Sequence, residues 1–411
     1  MGVSLYGSVE DVIRSSIQKQ GQITFAEFME KALYWPGGGY YTKRSPIGFS
    51  GDYYTSPSTH PIFGALISVQ LFQMWQLMGR PKPFTIVEVG SGNGLLMRDL
   101  TQYLQYLPEG FSNNVEYVCI DRGEQNKTGR NTNRQSRSYS DIAEYQGQGI
   151  EGCVLSNELI DSFPVHRLQM KKGILRELYV TLRDGVFVEE EGALSTQELN
   201  DHFDQLGIKL NDGHVFEVNL NVSRWINDVS RMLKRGYVIT VDYGGMAGDI
   251  YSESNGKGTL TCFYRHVQTN NPYLHIGNQD ITSQVNYTML TKYGLGQGFV
   301  NKAYLSQREF LTNLGLPYFL KRLPALDVDN RAKLTNRFSM LNLVSPEGFG
   351  EFKVLIQGKN VSNVELWCRK LGFEEMPVLR ELPIPLLTES HMPLLEGKYP
   401  HVGLELSDTW M

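Results

Sequence analysis

The chain lacks most of the features that tie a protein to a compartment or a partner. Only four cysteines occur in 411 residues, Cys119, Cys153, Cys262 and Cys368. They lie far apart with no CxxC pair, so neither a disulfide framework nor a zinc ribbon is written into the spacing. They read as reduced core residues, which suits a cytoplasmic location. Positive charge is not in surplus: 39 Lys and Arg stand against 44 Asp and Glu, for a formal net charge of −5. No general field therefore draws the chain to nucleic acid or to an anionic membrane. No apolar run approaches the roughly 20 residues that span a bilayer, so no membrane insertion is expected. Met1 to Ile13 carries Glu10 and Asp11, without a basic start before an apolar stretch and without an arginine-rich face, so neither a secretory nor a mitochondrial leader is visible. No HExxH and no close His/Cys cluster accompanies His266 or His275, so no metal is expected.

What is present is a core. The 41% hydrophobic content is that of a globular chain. Residues 8 to 34 show helical spacing, with Thr24 and Glu27 placed as a capping box and Phe25, Phe28, Met29 and Leu33 on one face. A glycine- and tyrosine-rich stretch follows, including Gly37 to Tyr41 and Gly51 to Pro57, too irregular for a regular element and too aromatic for disorder. Ile62 to Met78 is again helical in spacing. From Phe84 onward strands and helices alternate: Phe84–Val89 is a buried-strand run, Leu95–Leu107 an amphipathic helix, and Val115–Ile120 a second strand that ends at Asp121. Cys153–Leu155 closes on Ser156-Asn157-Glu158, and Tyr237–Val241 closes on Asp242-Tyr243-Gly244. Strands that keep delivering polar residues at their carboxyl ends indicate a doubly wound parallel sheet with a ligand at that edge. Between the last two strands, short strand-like runs parted by Lys172-Gly173 and Asp184-Gly185 read as antiparallel hairpins.

The glycine loop is the most informative motif. Glu88-Val89-Gly90-Ser91-Gly92-Asn93-Gly94 stands directly after a strand and directly before a helix. Glycines there allow a tight turn and a close approach of backbone to ligand. A dinucleotide fingerprint would be GxGxxG, but its last position here is Leu95, so the spacing favours S-adenosyl-L-methionine. Glu88 suits the cationic methionine part of that cofactor and Asp121 its ribose hydroxyls, while Asp141 is a candidate for the adenine amino group or a plain helix cap. Further along, Glu158 and Asp161 are three apart, so a helical turn there would face both carboxylates to one side, where two acids can grip a guanidinium. Asn157 and Glu158 could equally cap a helix. His166 reads as a third acid–base candidate or as a hydrogen-bonded surface histidine.

These segments together resemble the MidA-like methyltransferases, the family of the mitochondrial complex I assembly factor with arginine methyltransferase activity. The resemblance runs over about residues 8 to 360 and is carried by Gly38 to Tyr41, Gly51 to Pro57, Glu88 to Gly94, Asn157 to Val165, Asp242-Tyr243-Gly244, Gly258-Thr259-Leu260, Tyr264-Arg265-His266 and Gln279 to Thr282. It implies an α/β fold with a Rossmann-like class I methyltransferase core, an N-terminal helical lid and a hairpin-rich insertion on the substrate side. The divisions would be 1–80 for the helical lid segment, 81–360 for the core with the insertion at about 165–222, and 361–411 for a proline-rich tail. By position it implies a cofactor site of Glu88, Gly90, Gly92, Asn93, Gly94, Asp121, Asp141 and Asn157 closed by Thr55, Ser56 and Pro57. Glu158, Asp161 and His166 would face the acceptor. The acceptor it implies is arginine in a protein client, with a respiratory complex I subunit as the client of the mitochondrial branch. The tail and the missing leader are departures, so complex I assembly is not carried by the motifs alone. A small-molecule O- or N-methyltransferase, and a non-catalytic assembly factor that only binds the cofactor, remain the alternatives. The hairpin-rich insertion is compatible with a homodimer.

Overall fold

A computed structural model describes residues 7–42, 54–108, 110–123, 136–145, 149–369, 380 and 382–391. Gly51, Asp52 and Tyr53 of the glycine- and tyrosine-rich motif lie outside the described residues.

The chain opens with helix α1 (Val9–Gln20), capped by Ser8, and helix α2 (Phe25–Tyr34), whose first turn is closed by Thr24 Oγ1 accepting from the Glu27 amide at 3.1 Å. The prelude is thus two helices, parted by Gly21 at φ +83° and by the two-residue strand β1 (Ile23–Thr24). Next come the short helix α3 (Ser56–Thr59) and helix α4 (Ile62–Leu77), which is apolar nearly all round and buried accordingly.

The central sheet is built on β2 (Phe84–Val89), every residue of which is buried, as a parallel strand covered on both faces requires. Helix α5 (Leu95–Leu104) returns the chain to β3 (Val115–Ile120), and β4 (Ser136–Tyr139) and β5 (Ile150–Asn157) follow. After β5 the chain leaves the sheet for β6 (His166–Lys171), β7 (Ile174–Arg183), β8 (Val186–Gly192) and β9 (Val215–Val218). It re-enters through helix α6 (Asn221–Met232) into β10 (Leu233–Asp242), and ends with β11 (Val300–Ser306) and β12 (Lys353–Lys359). The strand order is β11-β12-β10-β5-β2-β3-β4. The strands from β10 to β4 pair in parallel, whereas β12 runs antiparallel to both of its neighbours. One face of this mixed sheet packs on α4 and α5, the other on α6 and the helix Tyr287–Gly296.

A second sheet, β1-β7-β6-β9 with β8 beside β7, is antiparallel throughout. Its hairpin turns put Lys172-Gly173 at φ +51° and +74°, and Asp184-Gly185 at +50° and +77°, the left-handed pair that a two-residue hairpin requires. The inner faces of α1 and α2 pack on this sheet and on the strands Thr261–Tyr264 and Asp280–Thr282. All four cysteines are buried and unpaired, and no described helix is long and apolar enough to cross a membrane.

Apart from the short turn Trp367–Arg369, the described parts of the C-terminal segment have no regular secondary structure, yet several of their side chains pack into the protein. Cys368, Leu382 and Ile384 are buried in the core that contains α4 and α5. The backbone of 382–391 is tied down by Tyr103 Oη and Arg322 Nη1, which donate to the Pro383 and Leu382 carbonyls, both at 2.9 Å. His391 Nε2 lies 2.8 Å from Asp99 Oδ2 on α5, with both groups buried. Prolines break any periodicity here, but they do not stop alternate apolar side chains from filling a groove. Leu382→Ala is expected to cost about 2–5 kcal/mol, read as a lower urea midpoint at unchanged slope. A midpoint equal to that of the parent would show that this strap does not carry core packing.

Candidate active site

The carboxyl ends of β2, β3, β4 and β5 open on a cavity of about 290 Å³. Glu88 enters its wall from the last turn of β2, only 3% exposed, and accepts from Tyr117 Oη at 2.7 Å. Burial pushes its carboxyl up to about 8. Beyond it the loop makes three left-handed turns, Gly90 at φ +77°, Gly92 at +52° and Gly94 at +72°. A Cβ on Gly90 would stand 2.9 Å from Leu159 Cδ1, so a side chain there would close the space between the loop and the next strand end. The Gly92 amide donates to Asp121 Oδ2 and the Gly123 amide to Asp121 Oδ1, each at 2.7 Å. The loop and the strand-end acid are thereby one unit, and burial raises the Asp121 carboxyl above the ordinary range. Asn93 Oδ1 accepts from the Leu95 amide at 3.1 Å and starts α5.

Glu158 has an unusual backbone. It follows β5, donates its amide to the Val241 carbonyl at 2.8 Å, and sits at φ +49°, a region that costs a non-glycine residue free energy unless its surroundings impose it. The imposing group is Asp242 at the end of β10. Its Oδ2 accepts from the amides of Leu159, Ile160 and Asp161 at 3.2, 2.9 and 3.3 Å, and its Oδ1 from the Tyr243 amide at 2.9 Å. The chain therefore turns around a carboxylate instead of entering a helix, and the expectation that Glu158 and Asp161 share a helical face is corrected. Glu158 lines the cavity, its Oε1 accepting from the Ser56 amide at 3.1 Å and from Asn157 Nδ2 at 2.9 Å. Asp161 stands behind the wall, 5% exposed, its carboxylate next to the Tyr243 hydroxyl. Burial and the charge of Asp161 push Glu158 up to about 8, and burial pushes Asp161 up to about 6.

Of the residues singled out in the sequence, Glu88, Gly90, Gly92, Asn93, Asp121, Asp141, Asn157, Glu158, Thr55 and Pro57 line this one cavity. Gly94 is set back as the cap of α5, and Ser56 is buried with its hydroxyl on Gln307 Oε1 at 3.0 Å. His166 is not brought to the cavity: past Pro164 the chain enters the second sheet, where His166 Nδ1 lies 2.7 Å from Glu177 Oε1. Walls that sequence reasoning missed come from α2 and α6. Tyr34 of α2 donates to the Ser162 carbonyl at 3.0 Å, stacks on Tyr41 at 5.5 Å, and carries the Arg122 guanidinium 5.2 Å above its ring. Arg224, Trp225 and Asp228 of α6 complete the far side. The run of tyrosines near α2 was the only signal for the first wall, and the amphipathic pattern of α6 concealed the second.

The donor set fits an adenosyl sulfonium cofactor: an acid for a diol at one strand end, a buried acid for a cation at another, and a glycine turn that a Cβ would fill. The sequence profile of the S-adenosyl-L-methionine-dependent methyltransferases matches residues 66–304, more than half of the chain. The chain belongs to this family. Among relatives of this methyltransferase, the Danio rerio protein arginine methyltransferase NDUFAF7, mitochondrial, is 26% identical, with 95% of this chain and 94% of that protein aligned. The Homo sapiens protein of the same name is 26% identical, over 82% and 79%. A Burkholderia thailandensis protein whose crystal structure holds S-adenosyl-homocysteine superposes with a TM-score of 0.77 at 26% identity, covering 89% of this chain and 95% of that one. The cofactor of this methyltransferase is S-adenosyl-L-methionine.

Glu88 and Glu158 titrate near 8 in the folded chain against an ordinary 4.5. The stability they contribute is complete below about 4.5 and is lost as the pH rises through 8. At neutral pH both acids are therefore largely protonated, and a cation bound beside them is expected to displace those protons. Calorimetry of S-adenosyl-L-methionine binding at neutral pH, in buffers of different ionisation enthalpy, is expected to show net proton release that fades once the pH passes well above 8. Proton uptake, or no exchange, would contradict this electrostatic description.

Proposed function

We propose that this methyltransferase transfers the methyl group to an arginine side chain in a protein client. The observation that carries the reading is Glu158, an acid on the cavity wall with Asp161 buried behind it and, among the described residues, no lysine or arginine paired to either. A cationic acceptor is what such a pair of acids lacks. The names of the relatives point the same way.

When bound, the cofactor supplies an electrophilic methyl group on a positively charged sulfur. A guanidinium stays protonated at ordinary pH, with a pKa above about 12, so a nitrogen that gains a methyl group must shed a proton. Glu158 is the proposed acceptor of that proton at its carboxylate, and its raised affinity for protons suits it to the task better than an ordinary carboxylate. Asn157 and the Ser56 amide orient it through Oε1. In this reading α1 and α2 form the lid, Thr55 to Pro57 close over the cofactor, and the antiparallel sheet of β6 to β9 faces the client. His166, held by Glu177, is left outside the catalytic set.

Incubating the protein with labelled cofactor and cell extract is expected to label a protein band that yields methylarginine on hydrolysis. Glu158→Gln should retain S-adenosyl-homocysteine binding and lose turnover by about a hundredfold or more. Undiminished turnover would remove Glu158 from its role. Label confined to small molecules would favour the small-molecule alternative, and no label at all a binding protein.

A further inference from the structure

Helix α7 (Asn330–Asn342) is apolar on two opposite faces, and the chain covers only one of them. At about 100° per residue, Asn336 and Met340, continued by Leu343 at the C-cap, fall on the inner face, and Leu334, Phe338 and Leu341 on the outer one. Met340 and Leu343 are fully buried in the core that contains α4 and α5. Asn336 anchors the same face: its Oδ1 accepts from His60 Nε2 at 3.0 Å and from the Leu387 amide at 2.9 Å. Leu334, Phe338 and Leu341 are instead 55%, 50% and 37% exposed. Single exposed apolar residues are ordinary, but three at i, i+4 and i+7 make a continuous strip, the pattern by which one helix lies along another. Arg331 and Arg337, both exposed, flank the strip on its two sides, with Lys333 beyond Arg337. None of these three cations is in an ion pair, and the helix itself holds no acid.

We propose that this face docks an acidic amphipathic helix of a partner protein, its apolar side on Leu334, Phe338 and Leu341 and its carboxylates on Arg331, Lys333 and Arg337. Charge decides between the occupants. A second copy of the face would set cations against cations, with no acid on the helix to offset them. An anionic membrane would meet a chain of net charge −5 with exposed carboxylates at both ends of the helix, Asp327, Asp329 and Glu347. An acidic helix pairs along the strip alone and avoids both penalties. The helix supplies no wall of the cofactor cavity, and the proposal does not rest on the arginine reading. Through His60, which directly follows α3, the docking face is tied to the segment that closes on Glu158.

Fluorescence anisotropy with the full chain tests it. The probe is a labelled helical peptide with leucine at i, i+3, i+4 and i+7 and glutamate elsewhere, and the comparison is the same peptide with lysine in place of glutamate. The glutamate peptide is expected to bind at least about tenfold more tightly than the lysine peptide, and to weaken as salt is added. Phe338→Ser and Arg337→Glu are each expected to weaken it by about tenfold or more. Both variants should keep the parent's cooperative melt and, within about twofold, its S-adenosyl-homocysteine affinity, because both side chains are exposed and neither lines the cavity. A parent that binds neither peptide, or both equally, overturns the proposal, as does unchanged affinity for the glutamate peptide in both variants. Binding to phosphatidylserine vesicles that Phe338→Ser abolishes would put a membrane in place of the partner helix. Sedimentation showing a dimer that the same variant dissolves would put a second copy there, and either result overturns the assignment. Should one variant lose its cooperative melt, the other decides.

Discussion

The arrangement depends on one carboxylate that does no chemistry. Asp242, fully buried at the end of β10, gathers the amides of Leu159, Ile160 and Asp161 and thereby bends the chain leaving β5. Without that grip Glu158 has no reason to occupy a left-handed conformation, and the turn would relax toward a helix or an extended exit. The grip spans neighbouring strands of the sheet, so the parallel pairing of β5 with β10 is what brings the anchor to the turn. Sheet topology and site geometry are therefore a single constraint here.

A second consequence is electrostatic. Glu88, Glu158, Asp161 and Asp242 are all drawn out of water at one sheet edge; Asp161 disfavours the charge of Glu158, and both disfavour that of Asp242. Among the described residues no basic side chain is paired with any of them. Such an edge is unfavourable when empty and favourable when cations fill it, which couples affinity for a sulfonium to affinity for a cationic acceptor. In the neighbouring sheet, by contrast, Glu189 and Glu217 are neutralised by Arg167.

The cofactor side was legible in the sequence because local backbone rules govern it. A fully buried strand, three glycines and a helix can be read from neighbours, and an acid at the end of the next parallel strand falls beside them by register. The acceptor side was legible in composition but not in geometry. A spacing of three suggested a helical face for Glu158 and Asp161, whereas the deciding bond comes from Asp242, 82 residues beyond Ile160. Tyr34 and Trp225 did not stand out in the sequence, because periodicity reports that a helix face is covered without saying by what. The strap at 382–391 escaped notice for the opposite reason, having buried side chains and no period at all.

The most direct measurement is a crystal structure of the chain with S-adenosyl-homocysteine bound. The expected result is ribose hydroxyls on Asp121, the thioether opening toward Glu158, and the turn at 158–161 still wrapped around Asp242. A ligand seated elsewhere, or a turn released from Asp242 with Glu158 directed away from the sulfur, would contradict it.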